Sequence, residues 1–339
     1  MVRSPMQLPT NNLLSSTKRR HPLRAGLVLF LLALSVAALN FQYLADWAAL
    51  RNYLPPATIS NLATQTTMTP LARKIFYVNH PELNAKVAFG NKCPNGEREK
   101  TIVLGCYRGN QHGIFLLAVS DPRLSGVEDV TSAHEMLHAA YDRLSAKDRT
   151  RINALLQDYF KQDLHDQRIL DTIASYRKSE PNDVVNEMHS IFGTEVANLP
   201  VELDQYYQRY FTNRAQIVSN ANAYEAEFTS RQRAVKQDDD QLAVLKDQIN
   251  SGQVDIKARN ATIVGIQKTL LAERSNNSAA YNAAVPGYNK MVDDYNAEVQ
   301  AVKALIEHYN ELVVSRNNIV LEEAKLVNEL NSTASPINH

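Results

Sequence analysis

The chain has 339 residues, of which 44% are apolar, with 36 basic and 36 acidic side chains and two cysteines. This length allows two domains, or one domain with a long appendage, and the apolar fraction excludes a disordered chain. A net charge of zero argues against a nucleic-acid-binding protein, which needs a basic excess. Two cysteines are too few for a disulfide-rich scaffold.

The first 45 residues have the pattern of a membrane anchor. Residues 1–24 carry five basic side chains and no acidic one, and residues 25–45 carry no charge. A helix of that length spans about 30 Å, the thickness of the hydrocarbon core. The positive-inside rule then predicts a single-pass protein of the cell membrane, with residues 1–24 in the cytoplasm and the rest outside it. The alternatives are a signal peptide cleaved at Val36-Ala37-Ala38 and a buried core helix.

The two cysteines suit an exported chain. Cys93 and Cys106 lie 13 residues apart, and a domain outside the cytoplasm is in a compartment where disulfides persist. A disulfide between them is therefore one expectation. Two free thiols are the alternative, because the sequence does not supply the Cα geometry that a disulfide requires.

The middle of the chain combines a predicted hairpin with a helix that carries a metal-binding pattern. Residues 101–107 and 113–119 are apolar runs separated by a polar, Gly-containing segment, which predicts a β-hairpin. The next predicted helix covers residues 127–144, with Ser125 or Gly126 near its start. It contains His-Glu-x-x-His, in which His134 and His138 share one helix face and Glu135 lies at its edge. Two packed or solvated histidines are the alternative interpretation.

The segment from His134 to Asp142 resembles the active-site helix of zincin metallopeptidases, and it is particularly similar to thermolysin-like enzymes. That resemblance implies an α+β catalytic domain, here residues 46–205, in which the helix packs beneath a sheet whose edge strand binds the peptide. The 113–119 run of the hairpin is the expected counterpart of that edge.

A catalytic zinc ordinarily takes three protein ligands. In glutamate-type zincins the third is a Glu on a downstream helix, and by this resemblance it is Glu187 of Asn186-Glu187. The pattern predicts a helix that starts at Pro181-Asn182 and stops at Gly193. The competing ligands are His165, His189 and Glu195. The chain departs from thermolysin because no Ser-Asp follows Asn-Glu and 48 residues separate His138 from Glu187. It also lacks the third His of metzincins.

The expected chemistry is zinc-assisted hydrolysis of a peptide bond. Zinc on His134, His138 and Glu187 would activate water and polarise the carbonyl, while Glu135 would act as general base. We expect Asp142 to hold a zinc-bound imidazole, with a surface acid as the alternative. Oxyanion stabilisation needs a further donor, for which the sequence offers four unranked candidates: Tyr176, His189, Tyr206 and Tyr207.

The last third predicts a helical arm. Apolar residues recur at heptad spacing over residues 206–332, and Tyr-Asn recurs at 281, 288, 295 and 309, which favours an all-α antiparallel coiled-coil hairpin about 80 Å long. The turn is expected at 273–279, and Pro286-Gly287 predicts a widened or kinked tip. Self-pairing, a homodimer and another coiled-coil partner all remain open, and residues 333–339 form a tail.

Together these features predict a membrane-anchored zinc peptidase that acts on protein or peptide outside the cytoplasm, with an arm for docking or spacing. The alternative is a cell-envelope coiled-coil scaffold whose zincin-like domain is not catalytic. Neither interpretation identifies the protein that is cut, and a peptidoglycan amide is an alternative substrate for the peptidase.

Overall fold

The computed structural model describes residue 1, residue 27, and residues 30–32, 34–36, 40–93 and 103–331. These residues belong to two compact units, Met1–Leu54 and Pro55–His339. The described residues leave out residues 2–24 of the predicted basic lead, eight of the 21 residues of the predicted span, the proposed cleavage site beyond Val36, and the tail 333–339.

The first unit contains helix α1, Phe41–Leu50. Within the described part of this unit, as in the rest of the described chain, no single helix has the length and apolar composition to cross a bilayer. The helical segments Phe30–Val36 and Phe41–Leu50 meet that requirement only as a pair, with a bend of 69° between them.

The second unit contains ten further helices and three strands within the described residues. The helices are α2 Ala57–Gln65, α3 Pro70–Val78, α4 Lys86–Lys92, α5 Val127–Asp142, α6 Ala146–Gln162, α7 Gln167–Ser179, α8 Val184–Thr194, α9 Val201–Tyr207, α10 Arg214–Asn276 and α11 Ser278–Leu330. The strands are β1 Glu82–Asn84, β2 Gly105–Arg108 and β3 Gly113–Leu117.

The sheet has the order β1-β3-β2, with β1 parallel and β2 antiparallel to β3. The predicted hairpin is therefore present as β2 and β3. The prediction that the run 113–119 forms the edge strand is wrong, however. It forms β3, which is the central strand, and all five residues of β3 are buried. The free edge that lies near α5 belongs to β2, which is the strand a ligand can reach.

The main core forms where α5 and α8 pack on each other and on the surrounding helices. Its fully buried side chains come from several helices and include Phe76, Met136, Leu137, Phe192, Leu203 and Tyr207. Helix α5 begins after Gly126, as predicted. Helix α8 begins at Val184 and passes through Gly193 to Thr194, so the predicted start at 181–182 and the stop at Gly193 are both displaced.

The arm consists of α10 and α11, which pack antiparallel. Gln232 contacts Glu323 and Arg259 contacts Glu298, so residue numbers rise on one helix as they fall on the other. The turn is Asn277 alone, whose side chain accepts a hydrogen bond from the Ala280 N–H. The predicted widening of the turn is therefore absent. Helix α11 continues through Pro286, which removes only one hydrogen bond from its 53 residues.

The arm begins at Arg214 rather than at residue 206. Tyr206, Tyr207 and Phe211 are buried in the main core, which extends past the predicted boundary between residues 205 and 206. The 63 residues of α10 correspond to about 95 Å of helix, which exceeds the expected length.

Candidate metal centre

The two histidines and Glu187 converge because α5 and α8 pack closely. His134 and His138 lie one turn apart on α5, and Glu187 lies in the first turn of α8. Gly193 permits the approach, because a Cβ atom there would lie 2.4 Å from Leu137 Cδ1 and 2.8 Å from Tyr207 Cε1. A glycine that reads as a helix stop in the sequence therefore serves as a contact point between these two helices.

The donor atoms have the spacing of a zinc site. Glu187 Oε2 lies 3.6 Å from His134 Nε2, and Glu187 Oε1 lies 3.5 Å from His138 Nε2. Two zinc bonds of about 2.0–2.1 Å at a tetrahedral angle place their donor atoms about 3.4 Å apart. One donor atom from each residue lies within 4.8 Å of the other two. The three side chains therefore fit the ligand set that the sequence predicts.

Burial supports the same conclusion. Glu187 is 6% exposed, and its Oε2 atom has no hydrogen-bond partner among the described residues. Burial opposes ionisation of this carboxyl, but attraction to His138 and His134 outweighs it and lowers the pKa of Glu187. Burial disfavours charge on His134 too, yet Glu187 and Glu135 raise its pKa to about 9. The carboxylates of Glu187 and Glu135 thus favour a positive charge between the helices, which a divalent cation would supply.

Glu135 lies between the metal ligands and the edge strand. Its carboxylate lies near the Tyr107 backbone N–H of β2, which acts to lower its pKa. Burial raises the pKa of Glu135, and the neighbouring His138 and His134 oppose that effect. A carboxylate beside two imidazoles, on the strand side of the helix, is able to act as a general acid or base toward a group in its vicinity.

Gly105 is a site residue that the sequence analysis missed. A Cβ atom at this position would lie 2.6 Å from Thr131 Cγ2 and 2.7 Å from both Cγ and Oε1 of Glu135. Any other residue would therefore require the side chains of Thr131 and Glu135, or β2 itself, to shift. The available signal was a glycine inside an otherwise apolar strand, which often marks a close approach.

The centre opens into a cleft of about 690 Å³. Its walls come from β2, α5, α7 and α8, and also from the base of the arm, where Tyr224, Phe228, Val327 and Leu330 line it. Glu322 of the arm pairs with Arg123 at 2.6 Å, and Glu329 accepts a hydrogen bond from Ser120 Oγ at 2.8 Å. The arm is thus fastened to the segment between β3 and α5 and completes the cleft.

Several predicted residues lie outside the cleft. His189 is fully buried, its Nε2 lies 2.8 Å from Tyr206 Oη, and its backbone carbonyl accepts a hydrogen bond from Tyr207 Oη. Burial lowers the pKa of His189 to about 3, so its imidazole is neutral. None of His189, Tyr206 and Tyr207 lines the cleft, whereas Tyr176 does. His189, Tyr206 and Tyr207 form a polar network inside the core and do not face the cleft.

The remaining predicted partners are engaged elsewhere. Asp142 lies near the Tyr107 hydroxyl, whose pKa is raised to about 12, chiefly by burial and to a smaller extent by Asp142. His138 Nδ1 has no partner among the described residues, so the expected link from Asp142 to a zinc-bound imidazole is absent. Glu195 pairs with Arg168 at 2.6 Å, and His165 is exposed between α6 and α7.

Cys93 and Cys106 are joined by a disulfide, with their Cα atoms 6.1 Å apart. This bond ties the end of α4 to β2, and both residues line the cleft. The edge strand is therefore held by covalent linkage on one side and by its contact with Glu135 on the other.

Comparison with known protein families, curated proteins and solved structures found no match to this chain.

Proposed function

We propose that this protein is a zinc-dependent peptidase whose cleft lies between α5, α8, the edge of β2 and the base of the arm. The observation that carries the proposal is the convergence of His134, His138 and Glu187, with Glu135 beside them facing β2. Three protein ligands with one open position are typical of catalytic zinc sites.

When bound to these three side chains, zinc would act as a Lewis acid toward the scissile carbonyl. Glu135 takes a proton from the attacking water and delivers it to the leaving amine. Tyr176 is the one candidate oxyanion donor from the sequence that lines the cleft, so we assign it that role.

The edge of β2 is suited to bind an extended peptide. The Leu104 carbonyl accepts a hydrogen bond from the Leu117 N–H, so alternate residues of β2 pair with β3, and Gly105 and Tyr107 face the free edge. Glu135 lies near the Tyr107 N–H. The Gly105 N–H and the Gly105 and Tyr107 carbonyls can then pair with a substrate strand.

We further propose that the peptidase works outside the cytoplasm, tethered through the N-terminal apolar segment. The proposal is supported by the five basic residues before that segment and by a disulfide beside the cleft, since disulfides persist in oxidising compartments. A scaffold with a non-catalytic centre is the second candidate, and the long α10–α11 arm favours it.

The discriminating experiment measures zinc content and hydrolysis of a denatured protein with the full-length chain. Glu135→Gln should lower hydrolysis about 10²–10⁴-fold and retain zinc. Glu187→Ala should lose zinc, whereas Glu311→Gln, an exposed change on the arm, should alter neither. Hydrolysis that survives Glu135→Gln overturns the mechanism. A wild-type chain that binds zinc but cleaves nothing favours the scaffold.

A further inference from the structure

Helix α1 presents its large apolar side chains on the face that is open to solvent. With about 3.6 residues per turn, Phe41, Leu44 and Trp47 lie on one side of the helix, and Tyr43 adjoins them. Phe41 is 71% exposed and Trp47 is 57% exposed, and Leu44 and Tyr43 are exposed as well. The Arg51 guanidinium lies 5.7 Å from the centre of the Trp47 ring. This face is therefore a continuous apolar surface with a basic group at its edge.

The opposite face of α1 is buried, although it carries the acidic residue of the helix. Asp46 is 2% exposed and accepts a hydrogen bond from Gln42 Nε2 at 2.9 Å. Ala45, Ala49 and Leu50 lie on the same side and are partly buried. A helix on the surface of a water-soluble domain has the reverse polarity, with apolar residues inward and charged residues outward. An exposed apolar surface of this kind marks a contact with a membrane or with another molecule.

The place of α1 in the chain selects the bilayer as that partner. The helix begins inside the apolar segment 25–45 that we propose as the tether, so lipid is the surface within its reach. It is bent by 69° from the segment Phe30–Val36. If that segment runs along the bilayer normal, α1 lies about 20° from the membrane plane. Trp and Tyr concentrate at the level of the lipid headgroups, where Arg51 can pair with a phosphate.

We propose that α1 lies along the outer surface of the bilayer, with Phe41, Leu44 and Trp47 at the boundary between headgroups and acyl chains. The inference rests on the proposed tether and not on zinc or catalysis. It shortens the membrane-crossing part of the chain to residues 25–40, which would span about 24 Å as a helix. Local thinning of the bilayer accommodates a span that is a few ångströms short.

The test uses the fluorescence of Trp47, which is the single tryptophan of the chain. The full-length chain is reconstituted into phosphatidylcholine vesicles whose lipids carry bromine, a short-range quencher, either just below the headgroup or near the end of the acyl chain. We expect the shallow bromine to quench Trp47 at least about twofold more strongly, because an interfacial helix buries its apolar face only about 5–10 Å deep. No quenching by either lipid would mean that water or a protein, a second copy included, covers this face, and it overturns the proposal.

Two variants that move the indole test the orientation of α1. Trp47→Phe/Phe41→Trp keeps an aromatic ring at both exposed positions and should place the indole within about 3 Å of its original depth, whereas a helix that continued the span straight would place it about 9 Å deeper. Trp47→Phe/Gln42→Trp turns the indole toward the side of Asp46 and should be quenched less by both lipids. Stronger quenching of the first variant by the deep bromine, or equal quenching of the two variants, overturns the proposal.

Failure of this inference can be told apart from failure of the proposed function. A chain that does not float with the vesicles in a density gradient contradicts the tether, and this inference with it. A chain that floats while Trp47 stays unquenched contradicts the placement of α1 alone. Absence of zinc or of hydrolysis bears only on the proposed peptidase, since Glu135→Gln should leave the quenching of Trp47 unchanged.

Discussion

The helices that build the metal centre and the helices that build the arm differ in how much of each is buried. In α5, 13 of 16 residues are buried, and in α8, 10 of 11. In α10 and α11 the figures are 6 of 63 and 3 of 53. The centre therefore depends on a few positions that tolerate no change of volume, whereas the arm depends on many weak contacts spread along its length.

The sharpest contrast lies within the arm itself. Leu326 is fully buried and packs against Leu124 and Val127 beside the cleft, whereas Leu321, five residues earlier, is 60% exposed. Leu326→Ala should lower the free energy of unfolding by about 2–4 kcal/mol, since it leaves a cavity. Leu321→Ala is the matched control and should change it by less than about 0.5 kcal/mol. Urea unfolding measures the loss of stability for both variants. Equal losses would show that the base of the arm is packed no more tightly than the rest of the arm.

A glycine pair compares the two regions directly. Gly193→Ala should destabilise the protein by about 1–3 kcal/mol and reduce zinc occupancy, because the new methyl group meets the buried side chains of Leu137 and Tyr207. At Gly265 on α10 a Cβ atom meets nothing within 4 Å. Gly265→Ala should therefore stabilise by about 0.5–1 kcal/mol through helix propensity. Thermal unfolding and metal analysis test the pair, and a stable, zinc-replete Gly193→Ala variant would contradict the close-packing argument.

Asp129 of α5 makes stability depend on pH. Burial, with a smaller contribution from Glu128, raises its pKa to about 6, against 3.8 for an ordinary Asp. The folded protein binds the proton more tightly, so this group's contribution falls as pH rises from about 4 to 6. Asp129→Asn should accept the same hydrogen bond from Asn220 and gain about 1 kcal/mol relative to wild type at pH 7 but not at pH 4. Urea unfolding at both pH values tests this, and a gain that does not vary with pH would assign it to another cause.

The smallest effect is expected at the half-buried ion pair between Arg259 and Glu298, which joins the two helices of the arm. Arg259 Nε donates to Glu298 Oε2 at 2.8 Å. Because solvent screens this pair, Glu298→Gln should leave the unfolding transition unchanged within error. A clear drop in melting temperature that salt reproduces in the wild type would show that ion pairs, and not the apolar seam, hold the arm together.

The local chemistry of the centre could be predicted from the sequence, but its surroundings could not. A helix places residues i and i+4 together by its own geometry, so His134 and His138 follow from spacing alone. Tyr206 and Tyr207 have the same apolar spacing as the arm that follows, and only tertiary packing assigns them to the core. Gly193 shows the same limit, because a glycine signals a helix end and a close helix contact alike.

The position of Leu330 in the wall of the cleft has a consequence for biosynthesis. Leu326 and Leu330 close the apolar cluster formed with Leu124 and Val127, about two hundred residues earlier in the chain. Domains fold progressively as synthesis proceeds from the N-terminus, so the proposed zinc ligands and β2 are present long before the last turns of α11. The cleft is consequently the last part of the molecule to be completed, and a nascent or C-terminally truncated chain would carry His134, His138 and Glu187 without this wall of the cleft.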